Sequence, residues 1–140
     1  MRIECIAIGT ELLTTTRVDT NSVWLAQRLA SLGMGFHRKT VVGDGQADMA
    51  ALFREALGRS DLIVCTGGLG PTFDDLTKEI WTEILGDVLI EDEAIWDEIQ
   101  ARFARLNRPL PDSNRKQALV PAGGRPLHNP MGTAPGILWE

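Results

Sequence analysis

Cysteine and histidine are scarce in this chain of 140 residues, with two of each. None of the four shows the paired spacing of a zinc site. Cys5 and Cys65 each lie inside an apolar run, which predicts buried, reduced thiols in a cytosolic protein rather than a disulfide or a reactive nucleophile. His37 falls in a strand pattern and His128 just before a loop. Neither joins a serine or cysteine and an aspartate in a nucleophilic set, and Ser22, Ser31, Ser60 and Ser113 read as caps or surface, so covalent catalysis is not expected. Positive charge is also short: 14 Lys and Arg stand against 19 Asp and Glu, a net charge of −5. That balance argues against a broad nucleic-acid or anionic-membrane surface. If the chain binds phosphates, it must use local cations or a metal. No segment approaches the ~20 consecutive apolar residues of a membrane span, and the first residues open a strand pattern rather than a signal peptide. Repeats and low-complexity tracts are absent. The expectation is one cytoplasmic domain, long enough to bury a core without staples, with no membrane or nucleic-acid partner.

What is present is an alternation of strand and helix patterns. Ile3–Ile8 is a near-continuous apolar run and predicts a buried strand. Asp19-Thr20-Asn21-Ser22 supplies N-cap candidates before a helix over about Val23–Leu32, with Val23, Ala26, Leu29 and Ala30 on one face and Gly33 beyond its end. Phe36–Val42 reads as a second strand. Met49, Leu52, Phe53, Ala56 and Leu57 have helical spacing. Leu62–Cys65 is a third strand, and Ile80, Trp81, Ile84 and Leu85 mark a helix starting near Asp74 or Asp75 and ending by Gly86. This β-α-β-α-β-α order predicts an α/β fold of three layers, α/β/α, around a mostly parallel sheet. Ile95, Ile99, Phe103 and Leu106 define a further helix. Asp112 or Ser113 caps a short one toward Leu119, Pro121–Pro126 is a turn-rich connection, and Ile137–Trp139 opens a strand. A strand with no element after it predicts that the chain is a piece of something longer. The four tryptophans fall mostly at helical core spacing, so packing is their default role.

In open parallel sheets, ligands bind beyond the carboxyl ends of the strands. Strand one ends at Gly9-Thr10-Glu11, strand two at Gly43-Asp44 and strand three at Thr66-Gly67-Gly68-Leu69-Gly70. Glycines permit close backbone approach, and their amides, with a following helix N-terminus, favour an anion. The loop lacks the Gly-Lys-Ser/Thr ending of a P-loop and the Gly-x-Gly-x-x-Gly dinucleotide fingerprint. A tight strand-to-helix turn with no ligand would use the same glycines. Asp74 and Asp75 either cap the next helix, for under about 1 kcal/mol each, or reach a divalent cation, which prefers carboxylate oxygens. Glu11 and Asp44 carry the same choice between solvated loop charge and metal ligand. Arg17, Lys78, Arg115 and Lys116 are the candidate cations. Lys78 stands in the first turn of a helix, where positive charge is unfavourable unless an anion is near.

These segments together resemble the N-terminal domain of CinA-like (competence/damage-inducible) proteins, of the molybdopterin-binding, MoaB/Mog-like fold superfamily. The matching pieces are Gly9-Thr10-Glu11-Leu12-Leu13, Asp19-Thr20-Asn21-Ser22, Thr40-Val41-Val42-Gly43-Asp44, Thr66–Thr77, Asn114-Arg115-Lys116-Gln117-Ala118, and Asn129-Pro130 with Gly132-Thr133-Ala134-Pro135-Gly136. They run in order over essentially the whole chain. The pattern departs from the family at Thr14-Thr15-Thr16, where a glycine is usual. It also lacks the family's continuation past Trp139-Glu140: the rest of the strand, a Pro-Gly-Val-Pro-like loop, a helix, and the C-terminal domain that carries nicotinamide mononucleotide deamidase activity in many members. The resemblance implies a single domain over residues 1–140, cut short at its C-terminal end. It implies a metal-dependent ADP-ribose pyrophosphatase that yields AMP and ribose 5-phosphate, with magnesium, manganese or cobalt and with potassium as a further ion, in a homodimer. It places Asp75, Asp44 and Lys116 in catalysis and Glu11, Asp44 and Asp75 on the metal. Gly67, Gly68, Leu69, Gly70, Thr72, Asn21, Asn114, Gln117 and Thr133 would contact the nucleotide substrate. The other reading is a molybdopterin-binding or molybdenum-cofactor-biosynthesis protein without pyrophosphatase activity.

Overall fold

A computed structural model describes residues 1–14 and 17–140. The departure at Thr15 and Thr16 therefore lies outside the described residues. The chain divides into two compact units, Met1–Gly68 and Leu69–Glu140.

The first unit is built on a parallel sheet. Strand β1 (Ile3–Ile8) is buried along its whole length. It pairs with β2 (Phe36–Val42) from Ile3↔Phe36 to Ile8↔Val42, and with β3 (Leu62–Thr66) from Ile3↔Leu62 to Ala7↔Thr66, giving the order β2-β1-β3. Side chains on both faces of this strand are buried, so an apolar run without alternation suits it. Its one carboxylate is Glu4, fully buried, which accepts hydrogen bonds from Arg59 and Ser60.

Helix α1 (Thr20–Ser31) is capped by Asp19, whose carboxylate accepts from the Ser22 amide at 3.0 Å and its hydroxyl at 2.5 Å. Helix α2 (Gln46–Arg59) puts Met49, Phe53 and Ala56 in the core, each with no exposed surface, at the expected i, i+4, i+7 spacing. The apolar face expected of α1 is not buried: Val23 and Trp24 are more than half exposed and only Ser22 is fully covered. Trp24 instead stacks beneath Arg28 at 5.5 Å, so packing in the core is not its role.

The second unit holds α3 (Thr77–Ile84), β4 (Leu89–Glu91), α4 (Glu93–Arg105), a 3-10 turn over Asp112–Ala118, β5 (Leu119–Pro121), β6 (Arg125–Leu127) and β7 (Gly136–Leu138). Strands β4 and β5 pair antiparallel, as do β6 and β7. The core comprises Ile80, Trp81, Ile99, Ala118 and Val120. Asp92 caps α4 by accepting from the Ile95 amide.

Three of these strands, β4, β5 and β6, are not expected from sequence. Each is three residues long, too short for a period to show, and β5 and β6 contain proline, which demotes a strand pattern. A second correction concerns α3. It starts at Thr77, after Leu76 at the cap position, with no side-chain cap. Asp74 and Asp75 do not cap it, because their carboxylates turn back onto Thr72.

Candidate functional site

The strand ends of the first unit are stitched to one another. The Gly9 amide donates to the Val42 carbonyl at 2.9 Å. Thr10 and Asp44 then exchange two bonds: the Thr10 amide donates to Asp44 Oδ2 at 2.9 Å, and the Asp44 amide to Thr10 Oγ1 at 3.1 Å. Asp44 is half-buried. Glu11 is exposed, in the 3-10 turn Thr10–Leu13 after β1. Asn21 is exposed in the first turn of α1, and Arg17 is exposed before it.

Gly67 and Gly68 come directly after β3 with φ of 98° and 66°. A side chain at Gly67 would run into the Ile8 carbonyl. The close passage of the β3 end beside β1 is therefore sufficient reason for glycine there, independent of any ligand.

In the second unit the loop Leu69–Asp75 is shaped by its own side chains. Thr72 is the hub. Its amide donates to Asp75 Oδ2 at 3.0 Å, and its hydroxyl lies 2.5 Å from both Asp75 Oδ2 and Asp74 Oδ1. The bond from Thr72 holds the Asp74 carboxyl below its ordinary range, with Lys116 adding to the effect. A Cβ at Gly70 would overlap the Asp75 carboxylate, so the glycine makes room for that side chain.

Lys116 approaches from the 3-10 turn. Its ammonium donates to the carbonyl of Thr72 at 2.9 Å and to that of Asp75, and lies 3.6 Å from Glu79 Oε1. The charge expected to face a substrate is thus engaged with loop carbonyls. Lys78 is buried, donating from Nζ to the Lys116 carbonyl at 2.7 Å. Burial pulls its ammonium down from the usual lysine range, against the opposing pull of Glu79.

Asn114 and Gln117 are buried, and the Asn114 amide donates to Gln117 Oε1 at 2.9 Å. Arg115 forms a two-pronged pair with Glu91 at 2.8 and 2.9 Å and lies over Trp96. Thr133 is half-buried in the loop that faces α4 across a cavity of about 720 Å³. Asn129 braces that loop, accepting from the Met131 and Gly132 amides and donating to the Ala134 carbonyl. Arg102 of α4 holds the carbonyls of Pro130 and Met131.

Two residues of the Lys116 cluster have roles that the sequence does not disclose. Glu79 carries no signal there, since a glutamate in the first turn of a helix ordinarily serves the helix dipole. Lys78 reads as a candidate cation for an anionic ligand, yet it is a buried donor to a backbone carbonyl.

A model of the family described as "Probable molybdopterin binding domain" matches residues 4–140. The chain is also 36% identical to the CinA protein of Thermoplasma acidophilum, whose solved structure superposes with a TM-score of 0.83 over 97% of this chain and 79% of that one. The chain is a CinA-like member of the molybdopterin-binding domain family. CinA-like proteins of Parasynechococcus marenigrum and of Nostoc sp. are each 46% identical to it, over 99% and 100% of its length. This CinA-like chain spans about one third of the length of those relatives. The fold is shared more widely. The molybdopterin biosynthesis enzyme MoaB of Thermus thermophilus superposes with a TM-score of 0.56 at 20% identity, over 86% of this chain and 78% of that one.

Among the described residues no three His, Cys, Asp or Glu side chains gather into a metal-binding group. No described helix is long and apolar enough to cross a membrane. The CinA-like chain therefore offers carboxylates singly or in pairs, with Asp44, Asp74 and Asp75 each half-committed to a threonine.

Proposed function

We propose that the chain is the nucleotide-handling part of a hydrolase that cleaves the diphosphate of ADP-ribose to AMP and ribose 5-phosphate. The observation that carries this reading is the Thr72–Asp75 loop. There the Asp75 carboxylate is anchored through Oδ2 by the Thr72 amide and hydroxyl, and Lys116 holds the carbonyls of Thr72 and Asp75. Family membership supports it.

In this reading water adds to one phosphorus and the bridging P–O bond breaks, and the two monophosphates leave. Asp75 would hold a divalent ion of the magnesium, manganese or cobalt kind. The ion, when bound, neutralises the diphosphate and lowers the pKa of a bound water. Thr72 keeps Asp75 oriented through its two bonds to Oδ2. Lys116 sets the loop conformation and adds a positive potential behind it. The Gly68–Gly70 amides would hold oxygens that do not react.

The test is ADP-ribose turnover with magnesium, manganese or cobalt, with Asp75→Ala alongside. Hydrolysis that requires the ion and falls by at least about 100-fold (about 2.7 kcal/mol in barrier) in Asp75→Ala is expected. Metal-stimulated turnover that is equal in the variant would refute the assignment. A second reading, molybdopterin binding without hydrolysis, is favoured by the description of the matching family. It predicts tight pterin binding with no diphosphate turnover, and calorimetry with a pterin against ADP-ribose separates the two.

A further inference from the structure

Lys116 is the structural keystone of the Asp75 loop, and something must keep it there. An ammonium on a flexible four-carbon stem gains little from two backbone carbonyls when water offers the same bonds. Lys78 makes the position harder to hold. Its own buried ammonium reaches the Lys116 backbone carbonyl, so two cations share a small and partly desolvated region. Among the described residues, one carboxylate lies within ion-pair distance of Lys116: Glu79, at 3.6 Å through Oε1. The side chains of Lys116 and Glu79 are only 22% and 26% exposed, so water screens the pair weakly. Glu79 Oε2 is buried and accepts no hydrogen bond. A carboxylate with an unsatisfied buried oxygen is costly to keep, and this side chain makes no capping bond to α3.

We propose that Glu79 is a positioning residue of the Thr72–Asp75 loop, holding Lys116 against the two loop carbonyls and thereby holding the Asp75 carboxylate in its working orientation. The chain of contacts runs from Glu79 Oε1 to Lys116 Nζ, from there to the carbonyls of Thr72 and Asp75, and from Thr72 to Asp75 Oδ2. Glu79 touches no reacting atom. Its effect reaches the site only through Lys116. The inference rests on the reading that Asp75 handles the diphosphate.

The experiment has two arms on the full chain, one of which needs no turnover. In the first, amide hydrogen exchange is read at Thr72 and Asp75, whose amides bond Asp75 Oδ2 and the Thr72 carbonyl. Glu79→Ala should speed exchange at both by about tenfold while the Ile80 amide of α3, bonded to the Leu76 carbonyl, stays slow. Lys116→Met should free the same two amides, and combining the two substitutions should add little further. Glu79→Gln keeps the shape and an acceptor without the charge, and should lie between wild type and Glu79→Ala. In the second arm, Glu79→Ala should lower kcat for ADP-ribose by about tenfold and raise the manganese concentration needed for half activation, with Glu79→Gln recovering part of both.

Unchanged exchange at Thr72 and Asp75 in Glu79→Ala overturns the inference. If Glu79→Ala also frees α3, Glu79→Gln decides at the same amides, and no change there overturns it. Absence of hydrolysis by wild type refutes the pyrophosphatase reading alone, because the exchange arm still reports on Glu79 and Lys116.

Discussion

The buried ion pair in the centre of the parallel sheet allows a demanding test of the fold. Glu4 has no exposed surface and sits on the central strand. Its carboxylate accepts from Arg59 Nε at 2.9 Å, from Arg59 Nη2 at 2.7 Å and from Ser60 Oγ at 2.9 Å. Removing one partner of a fully buried pair costs roughly 3–5 kcal/mol, because the other charge is stranded. Here the stranding is partial. Arg59 is 26% exposed and keeps Glu55 at 3.1 Å. We therefore expect Glu4→Ala to cost about 2–3 kcal/mol, and Glu4→Gln somewhat less, since its amide oxygen still accepts one of these bonds. Urea unfolding monitored by circular dichroism at pH 7 measures both.

The pH dependence supplies a second, independent check on the same pair. The Arg59 hydrogen bond comes first among the causes that hold the Glu4 carboxyl below its ordinary 4.5, and burial opposes it. A group with a depressed folded-state value stabilises fully above its unfolded value and loses that contribution as pH falls through the folded one. The wild-type advantage over Glu4→Gln should therefore be constant from pH 7 to about 5 and shrink on further acidification. A cost below about 1 kcal/mol for Glu4→Ala, or an advantage that grows below pH 4.5, would refute the assignment of this pair as a stabilising feature of the sheet.

Other perturbations act on particular contacts. Gly67→Ala should destabilise the first unit by about 2 kcal/mol or more, from the positive φ of 98° and the collision with the Ile8 carbonyl together. Denaturant midpoints test it, and a neutral result would mean that the β3 end can move away from β1. Asp19→Ala removes two bonds to Ser22 and the 2.9 Å pair with Lys39, and should cost about 1–2 kcal/mol. Asp19→Asn, which keeps the cap acceptor, should recover most of that in the same unfolding experiment.

Local periodicity carries the strands of the first unit almost to the residue, while α1 starts at Thr20, three residues before the expected Val23. Ile3–Ile8 and Phe36–Val42 are strands with those bounds, and Leu62–Cys65 extends by one residue to Thr66. Asp19 is among the cap candidates for α1 and is the residue that caps it, and Gly33 lies past its end with φ of 72°. Such features are legible because each depends on neighbours in sequence: an apolar run long enough to show its period, a side chain three residues from the amide it accepts from. Legibility ends where a residue's partner is remote. Glu4 reads as an interruption of an apolar run, because Arg59 and Ser60 lie 55 and 56 positions away. Val23 and Trp24 lie in a helical pattern, yet spacing does not say whether anything covers that face.

The candidate site divides in the same way. That Gly67–Gly70 and Asp74–Asp75 come after a buried strand is a property of the sequence alone, as is the family to which the ordered motifs belong. What Asp74 and Asp75 do with their carboxylates is decided by Thr72, a near neighbour whose hydroxyl competes with the helix amides for them. The roles of Lys116, Lys78 and Glu79 required the tertiary structure, because a lysine from the 3-10 turn meets a glutamate 37 residues earlier only after the second unit has folded. Charge type and spacing determine which groups are available for chemistry. Burial and long-range contact determine which of them remain available to a ligand and which are consumed in holding the others in place.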